Sequence, residues 1–215
     1  MTSMETTVFS EYEARELNII FPDNSYVTVE CLGTIEEEAT VRKVEKKCRG
    51  VVRKSRTRGT GSGTIKISAH MPYQGYLKLH AMDSDDKLID GVHAYGNKSL
   101  HPNVVVTSDL YDEDDNRKFK AWPKCTATTG PVRKTENGAE EVAEVEIEFA
   151  YSPDDYGNGV YECLYADLED DTAKTSWLTG FKPEMVHDGY ESGSSVVSGE
   201  PGASGGASEP NVLEA

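Results

Sequence analysis

Residues 140–151 read Glu-Glu-Val-Ala-Glu-Val-Glu-Ile-Glu-Phe-Ala-Tyr, and from Glu144 onward the pattern alternates with period two. Successive side chains of an extended strand point to opposite faces. Val145, Ile147, Phe149 and Tyr151 therefore share an apolar face, and Glu144, Glu146 and Glu148 share the other. At the strand rise the three carboxylates stand about 6–7 Å apart, each to the next. A helix would spread the apolar residues around its circumference, so the stretch predicts a half-buried β-strand with an acidic outer face.

Other segments repeat the signature. Residues 26–33, 64–69, 88–95 and 104–111 are rich in β-formers, and 40–44 continue a meander toward a basic segment. Asp112-Glu-Asp-Asp-Asn116 lies between two β-rich runs and predicts a hairpin turn. At Pro72 the period changes: Tyr73, Tyr76, Leu77 and Ala81 fall at helical spacing, so residues 72–82 predict a short amphipathic helix. Residues 172–179 suit one or two helical turns stopped by Gly180. Residues 160–168 fit a strand or a helix start, and residues 1–24 carry little signal. Six to eight strands with hairpin turns predict a mainly β chain, a sandwich or closed sheet, in place of βαβ units.

Charge is distributed unevenly. Nine of the 22 Lys and Arg residues fall between Arg42 and Arg58, opposed only by Glu45, so that segment carries +8 and the rest of the chain −24. Residues 49–63 are too polar to pack and too long for a tight turn, which predicts a mobile basic arm ordered by a partner. The acidic body repels nucleic acid while the arm seeks an acidic partner. Docking onto a neighbouring copy suits both signs of charge. Binding to a phosphate backbone is the rival, though the arm has no aromatic residue for base stacking.

Cys31, Cys48, Cys125 and Cys163 form no Cys-x-x-Cys pair, and the first seven residues lack a basic start and an apolar run. No leader is expected on that basis, and free thiols in a reducing compartment follow. No apolar stretch approaches the roughly 20 residues of a membrane span. After about His187, Gly, Ser, Glu, Pro and Ala dominate, which predicts a flexible tail over residues 188–215.

Catalytic patterns fail on context. Gly59-Thr-Gly-Ser-Gly63 has a polar arm before it and a strand after it, the reverse of a dinucleotide fingerprint, and reads as a flexible hinge. Gly202-Ala-Ser-Gly-Gly206 matches a nucleophile elbow only formally, with no strand leading in and no histidine downstream. The five histidines are scattered without ligand spacing. Neither acidic turn fits a calcium loop. No enzyme activity, cofactor or metal is expected.

Several blocks resemble the major tail proteins of long-tailed bacteriophages. They are Gly61-Ser-Gly-Thr-Ile-Lys-Ile-Ser-Ala-His-Met-Pro-Tyr73, Gly91-Val-His-Ala-Tyr-Gly96, His101-Pro-Asn103, Ala121-Trp-Pro-Lys-Cys125, Asn137-Gly-Ala-Glu-Glu-Val-Ala-Glu144 and Asp155-Tyr-Gly-Asn-Gly159. Trp177 and Phe181-Lys-Pro-Glu184 complete a likeness over about residues 58–186. It implies a tail tube domain over residues 1–187, a β-sandwich or half-barrel with one short flanking helix and a long basic loop at about 42–63. Such subunits assemble into hexameric rings stacked as a hollow tube through which DNA is ejected. The implied partners are other copies and the tape measure, tail terminator and distal tail proteins; the implied location is the virion tail, assembled in the host cytoplasm. Some relatives carry an added immunoglobulin-like domain, which is not expected here. Within this resemblance, Glu144, Glu146 and Glu148 face either the lumen or the outer surface. Arg49, Arg53, Lys54, Arg56 and Arg58 are the candidate contacts between rings.

Overall fold

The alternation at residues 145–151 is realised as a strand with Ile147, Phe149 and Tyr151 buried and Glu146 exposed. A computed structural model of the chain describes residues 8–83, 88–135, 137–138 and 142–187. It contains β1 (Glu13–Ile20), β2 (Tyr26–Val29), β3 (Cys31–Cys48), β4 (Val51–His70), α1 (Tyr73–Leu79), β5 (Asn103–Tyr111), β6 (Arg117–Ala127), β7 (Val145–Tyr151), β8 (Tyr161–Leu164) and α2 (Asp171–Gly180). All eight strands belong to one antiparallel sheet in the order β2-β1-β5-β6-β7-β4-β3, with β8 pairing β6. The sheet bends until β3 approaches β1, giving a half-barrel.

Two cores follow from this bend. Leu17, Ile19, Val29, Ile65, Ile67, Val106, Trp122, Ile147 and Phe149 fill the concave side. On the convex side Trp177 and Phe181, at the end of α2, pack on Ile20, Phe119 and Ala121. Trp177 and Phe119 stack with centroids 5.7 Å apart. Asp170 caps α2 by accepting from the Thr172 and Ala173 amides, and that pair of bonds holds its carboxyl below the usual range. The convex face of β7, β4 and β3 has no helix over it among the described residues.

Several expectations are met closely. The acidic turn joins β5 to β6, with Asp112 Oδ1 accepting from the amides of Asp114 and Asn116. Pro72 precedes α1, and a side chain at Gly75 would run into Val27, so the glycine permits the helix to sit on β2. Residues 160–168 resolve as β8 followed by a turn. The four thiols are free.

Others are corrected. Residues 88–95 are no strand: Gly91 has a φ of 81°, Val92 closes a turn onto Ile89, and no strand among the described residues supplies a ladder. Residues 26–33 break at Glu30 into the end of β2 and the start of β3. β1 arises where little signal was read. Its second half, Leu17–Ile20, is buried on both faces, under α2 on one side and within the concave core on the other, so no alternation marks it. The basic arm is not irregular chain but the outer part of the β3–β4 hairpin. The predicted flexible tail, residues 188–215, lies outside the described residues, as do Glu140 and Glu141.

Candidate functional site

The convex face left bare by the helices is acidic. Register places Glu36, Lys66 and Glu148 in one row across β3, β4 and β7, with Thr34, Ser68 and Glu146 in the next. Glu38 joins the same face opposite Thr64, and Glu144, just ahead of β7, accepts a hydrogen bond from Ser68 Oγ. The three predicted acids therefore do share a face. The structure adds Glu36 and Glu38, so five carboxylates share this face with Lys66, and Lys134 lines its margin beside Glu144 and Glu146. A groove of about 300 Å³ runs over these rows, walled by Thr129 and Val132.

The pleat divides the run Glu36-Glu-Glu38. Its middle member turns inward, where Glu37 lies 2.5 Å from the Lys120 ammonium and accepts from the Tyr151 hydroxyl at 3.3 Å. Burial, then the Glu37 charge, pushes the Tyr151 phenol up to about 12. Lys118 and Lys120 also reach Glu11, at 2.6 and 3.5 Å, so the chain just before β1 is strapped over β6. Burial opposes the charge on both Lys118 and Glu11, but their mutual hydrogen bond and attraction outweigh it. The Lys118 pKa is raised and that of Glu11 lowered. This interior ion cluster had no signature in the sequence, because its members come from four separate segments.

Beyond Gly63, β4 pairs only with β3, so residues 41–59 form a projecting two-stranded ribbon whose root at Gly61 rests against Gly157 and Gly159. Its turn is Arg49-Gly50, both at positive φ (50° and 78°), the two-residue geometry that suits the twist of a hairpin. Cross-strand partners share a face, and the register makes Arg42 face Arg58, Val44 face Arg56, and Lys46 face Lys54. Five cations thus line one side, around a hollow of about 390 Å³. The other side is milder, with Lys43 bound to Glu45 at 2.7 Å. Of the predicted contacts, Lys54, Arg56 and Arg58 stand together. Arg49 sits at the turn and Arg53 is the extra residue of a bulge. Arg42 and Lys46 belong to the cationic side and were not among the predicted contacts. Like charges directly opposite one another destabilise a ribbon, so this one is built against its own electrostatics.

The glycine run lies within β4 and is not the predicted flexible hinge, and its last members, Gly61 and Gly63, are packed while Gly59 is open. A Cβ on Gly63 would strike the Glu38 carbonyl oxygen and the Tyr151 hydroxyl. Gly63→Ala is expected to cost about 1–3 kcal/mol, as overpacking does, measured by chemical denaturation. An unchanged midpoint would show that the backbone relaxes without penalty.

Among the described residues no helix is long and apolar enough to cross a membrane, and no group of three His, Cys, Asp or Glu could hold a metal ion. No protein-family model matches the chain, and no curated protein matches it in sequence. Among solved structures it is similar to a chain in the tube-terminating cap of the anti-feeding prophage, with TM-score 0.43, 9% identity, and 75% of this chain covering 99% of that one. A chain of the anti-feeding prophage baseplate gives TM-score 0.41 and 9% identity over 77% of this chain and 100% of its own length. A chain from the extended sheath–tube complex of an extracellular contractile injection system gives 0.39 and 9%, over 76% and 99%. These are distant likenesses, and the functional reading rests on this chain's own geometry.

Proposed function

We propose that the protein is a structural subunit that joins copies of itself into stacked, hexameric rings forming a tail tube. The observation that carries the reading is β3: it ends the sheet and pairs with β4 on one side only, so an 18-residue strand presents an open ladder. A long unpaired edge is an aggregation hazard unless another chain completes it, and joining sheets between copies removes that edge. The basic ribbon then reaches a neighbouring ring, a heterologous contact that repeats without closing. The tape measure, terminator and distal tail proteins are the further partners implied by the tail-protein resemblance, and the role is not catalytic.

In this reading the convex acidic face lines the channel. DNA carries a charge every ~1.7 Å of its axis, and a cationic wall would hold it by releasing counterions, whereas carboxylates let it slide. Electron microscopy of the purified full chain is expected to show rings or rods; monomer-sized particles at high concentration would defeat the proposal. Changing Glu144, Glu146 and Glu148 to lysine is expected to leave tube formation intact while slowing genome passage. Unaltered passage would place the acidic face elsewhere. The cationic side of the ribbon favours one rival, a nucleic-acid-binding β-domain. A gel shift at moderate salt separates the two, since a tube subunit retains little DNA.

A further inference from the structure

At the α1 end of the sheet, three imidazoles and three phenols surround one guanidinium. Tyr73 and Tyr76 belong to α1 and His80 caps it. The chain between α1 and β5 supplies His93, Tyr95 and His101, and the segment after β6 supplies Arg133. The His80 ring lies 4.6 Å from Tyr76 and 5.2 Å from His101, centroid to centroid. Arg133 sits 4.1 Å above the Tyr76 ring.

His101 ties this loop to the sheet. A carbonyl oxygen only accepts, so His101 Nδ1 donates to Ala127 at 2.8 Å. Nε2 is then left to accept from the Tyr95 hydroxyl at 3.1 Å. The Tyr95 hydroxyl both donates and accepts, so this bond does not by itself depend on pH, and the buried His80 beside it carries the sensitivity. His80 is 1% exposed and its Nδ1 has no hydrogen-bond partner. The charged or titratable groups facing it are Tyr76 on its own helix, Tyr95 and His101 on the loop, and Arg133 across from them. Nothing anionic among the described residues acts on it. Burial first, then His101 and Arg133, depresses its pKa to about 4.

We propose that the loop over residues 88–102 is an acid-released latch, freed when a proton enters the buried, unpartnered His80 ring packed against His101. The closed state holds His80 below its ordinary value of 6.5, so it binds fewer protons than the open state. Closure is therefore complete above that value and is lost as pH falls from 6.5 toward 4. From pH 7.5 to 5 the His80 contribution alone multiplies the open population roughly thirtyfold. The latch goes beyond the assembly reading and stands or falls without it.

Hydrogen–deuterium exchange of the full chain, corrected for intrinsic rates, tests the latch at pH 7.5 and 5. Amides over residues 92–101 are expected to exchange at least tenfold faster at pH 5, with β5 and β6 unchanged. His80→Phe, which sacrifices no bond at Nδ1, is expected to abolish the acceleration. No acceleration in the parent chain, or equal acceleration in His80→Phe, overturns the latch. Should that variant fail to fold, an NMR titration of the parent decides. Tyr95 ring signals that follow the His80 imidazole support the latch, and signals that stay fixed through its titration refute it.

Discussion

Replacing Arg42, Lys46, Lys54, Arg56 and Arg58 together with glutamine is expected to yield a folded subunit that assembles at least about fivefold less readily. Each exposed ion pair contributes only about 0.2–1 kcal/mol, but five acting on one docking face reach about 1–5 kcal/mol, or roughly 5- to 4,000-fold. The register is what makes the set a unit, since all five line the same side of the ribbon. Lys43→Gln and Lys47→Gln, on the opposite side, are the control and are expected to change little. The subunit itself is expected to keep its stability or gain slightly, because the opposed pairs Arg42/Arg58 and Lys46/Lys54 repel in isolation. Sedimentation against protein concentration reads assembly, and circular dichroism reads the fold. Normal tube growth from the five-fold variant, or equal loss in the control, would remove the ribbon from the contact.

Phe149→Ala is expected to produce the largest loss of stability. The ring is fully buried in the concave core, on the strand that faces Ile65 on β4 and Ala127 on β6. Truncation removes its transfer energy and leaves a cavity that close-packed neighbours fill only partly. The cost is about 3–5 kcal/mol, against a typical total of about 5–15 kcal/mol for a domain. Glu146→Ala, three positions before Phe149 and on the exposed face, is expected to fall within about 0.5 kcal/mol of the parent. Urea midpoints for the two variants check both figures. A loss under about 1 kcal/mol at Phe149 would mean that the sheet does not enclose a common core.

Legibility in the sequence tracked how one-sided each segment's surroundings are. β7 has core on one face and open solvent on the other, so its period-two pattern survived intact. The β5–β6 hairpin announced itself through Asp112, whose carboxylate satisfies the turn amides whatever lies further off. The second half of β1 is covered on both faces and showed no alternation, and the apolar residues at 88–95 imitate a strand that has no neighbour to pair with. For the candidate site, Glu144, Glu146 and Glu148 were found because one short run, β7 and the residue before it, carries all three. Glu36 and Glu38 escaped because they reach the same face through β4. The ribbon's charge was plain from composition, but its two-sidedness was not.

By itself the sequence determined the local chemistry: which face of β7 is apolar, where Asp112 turns the β5–β6 hairpin, and that one short segment concentrates positive charge. Those properties depend on neighbours a few positions away along the chain. Only the tertiary structure decided the register that sets Arg42 against Arg58, the bend that brings Glu37 to Lys120, and the convex face that no helix covers. Each of these joins residues distant in sequence. A one-residue slip in pairing would reverse every side chain between the two faces, and no local propensity records which alternative the whole sheet selects.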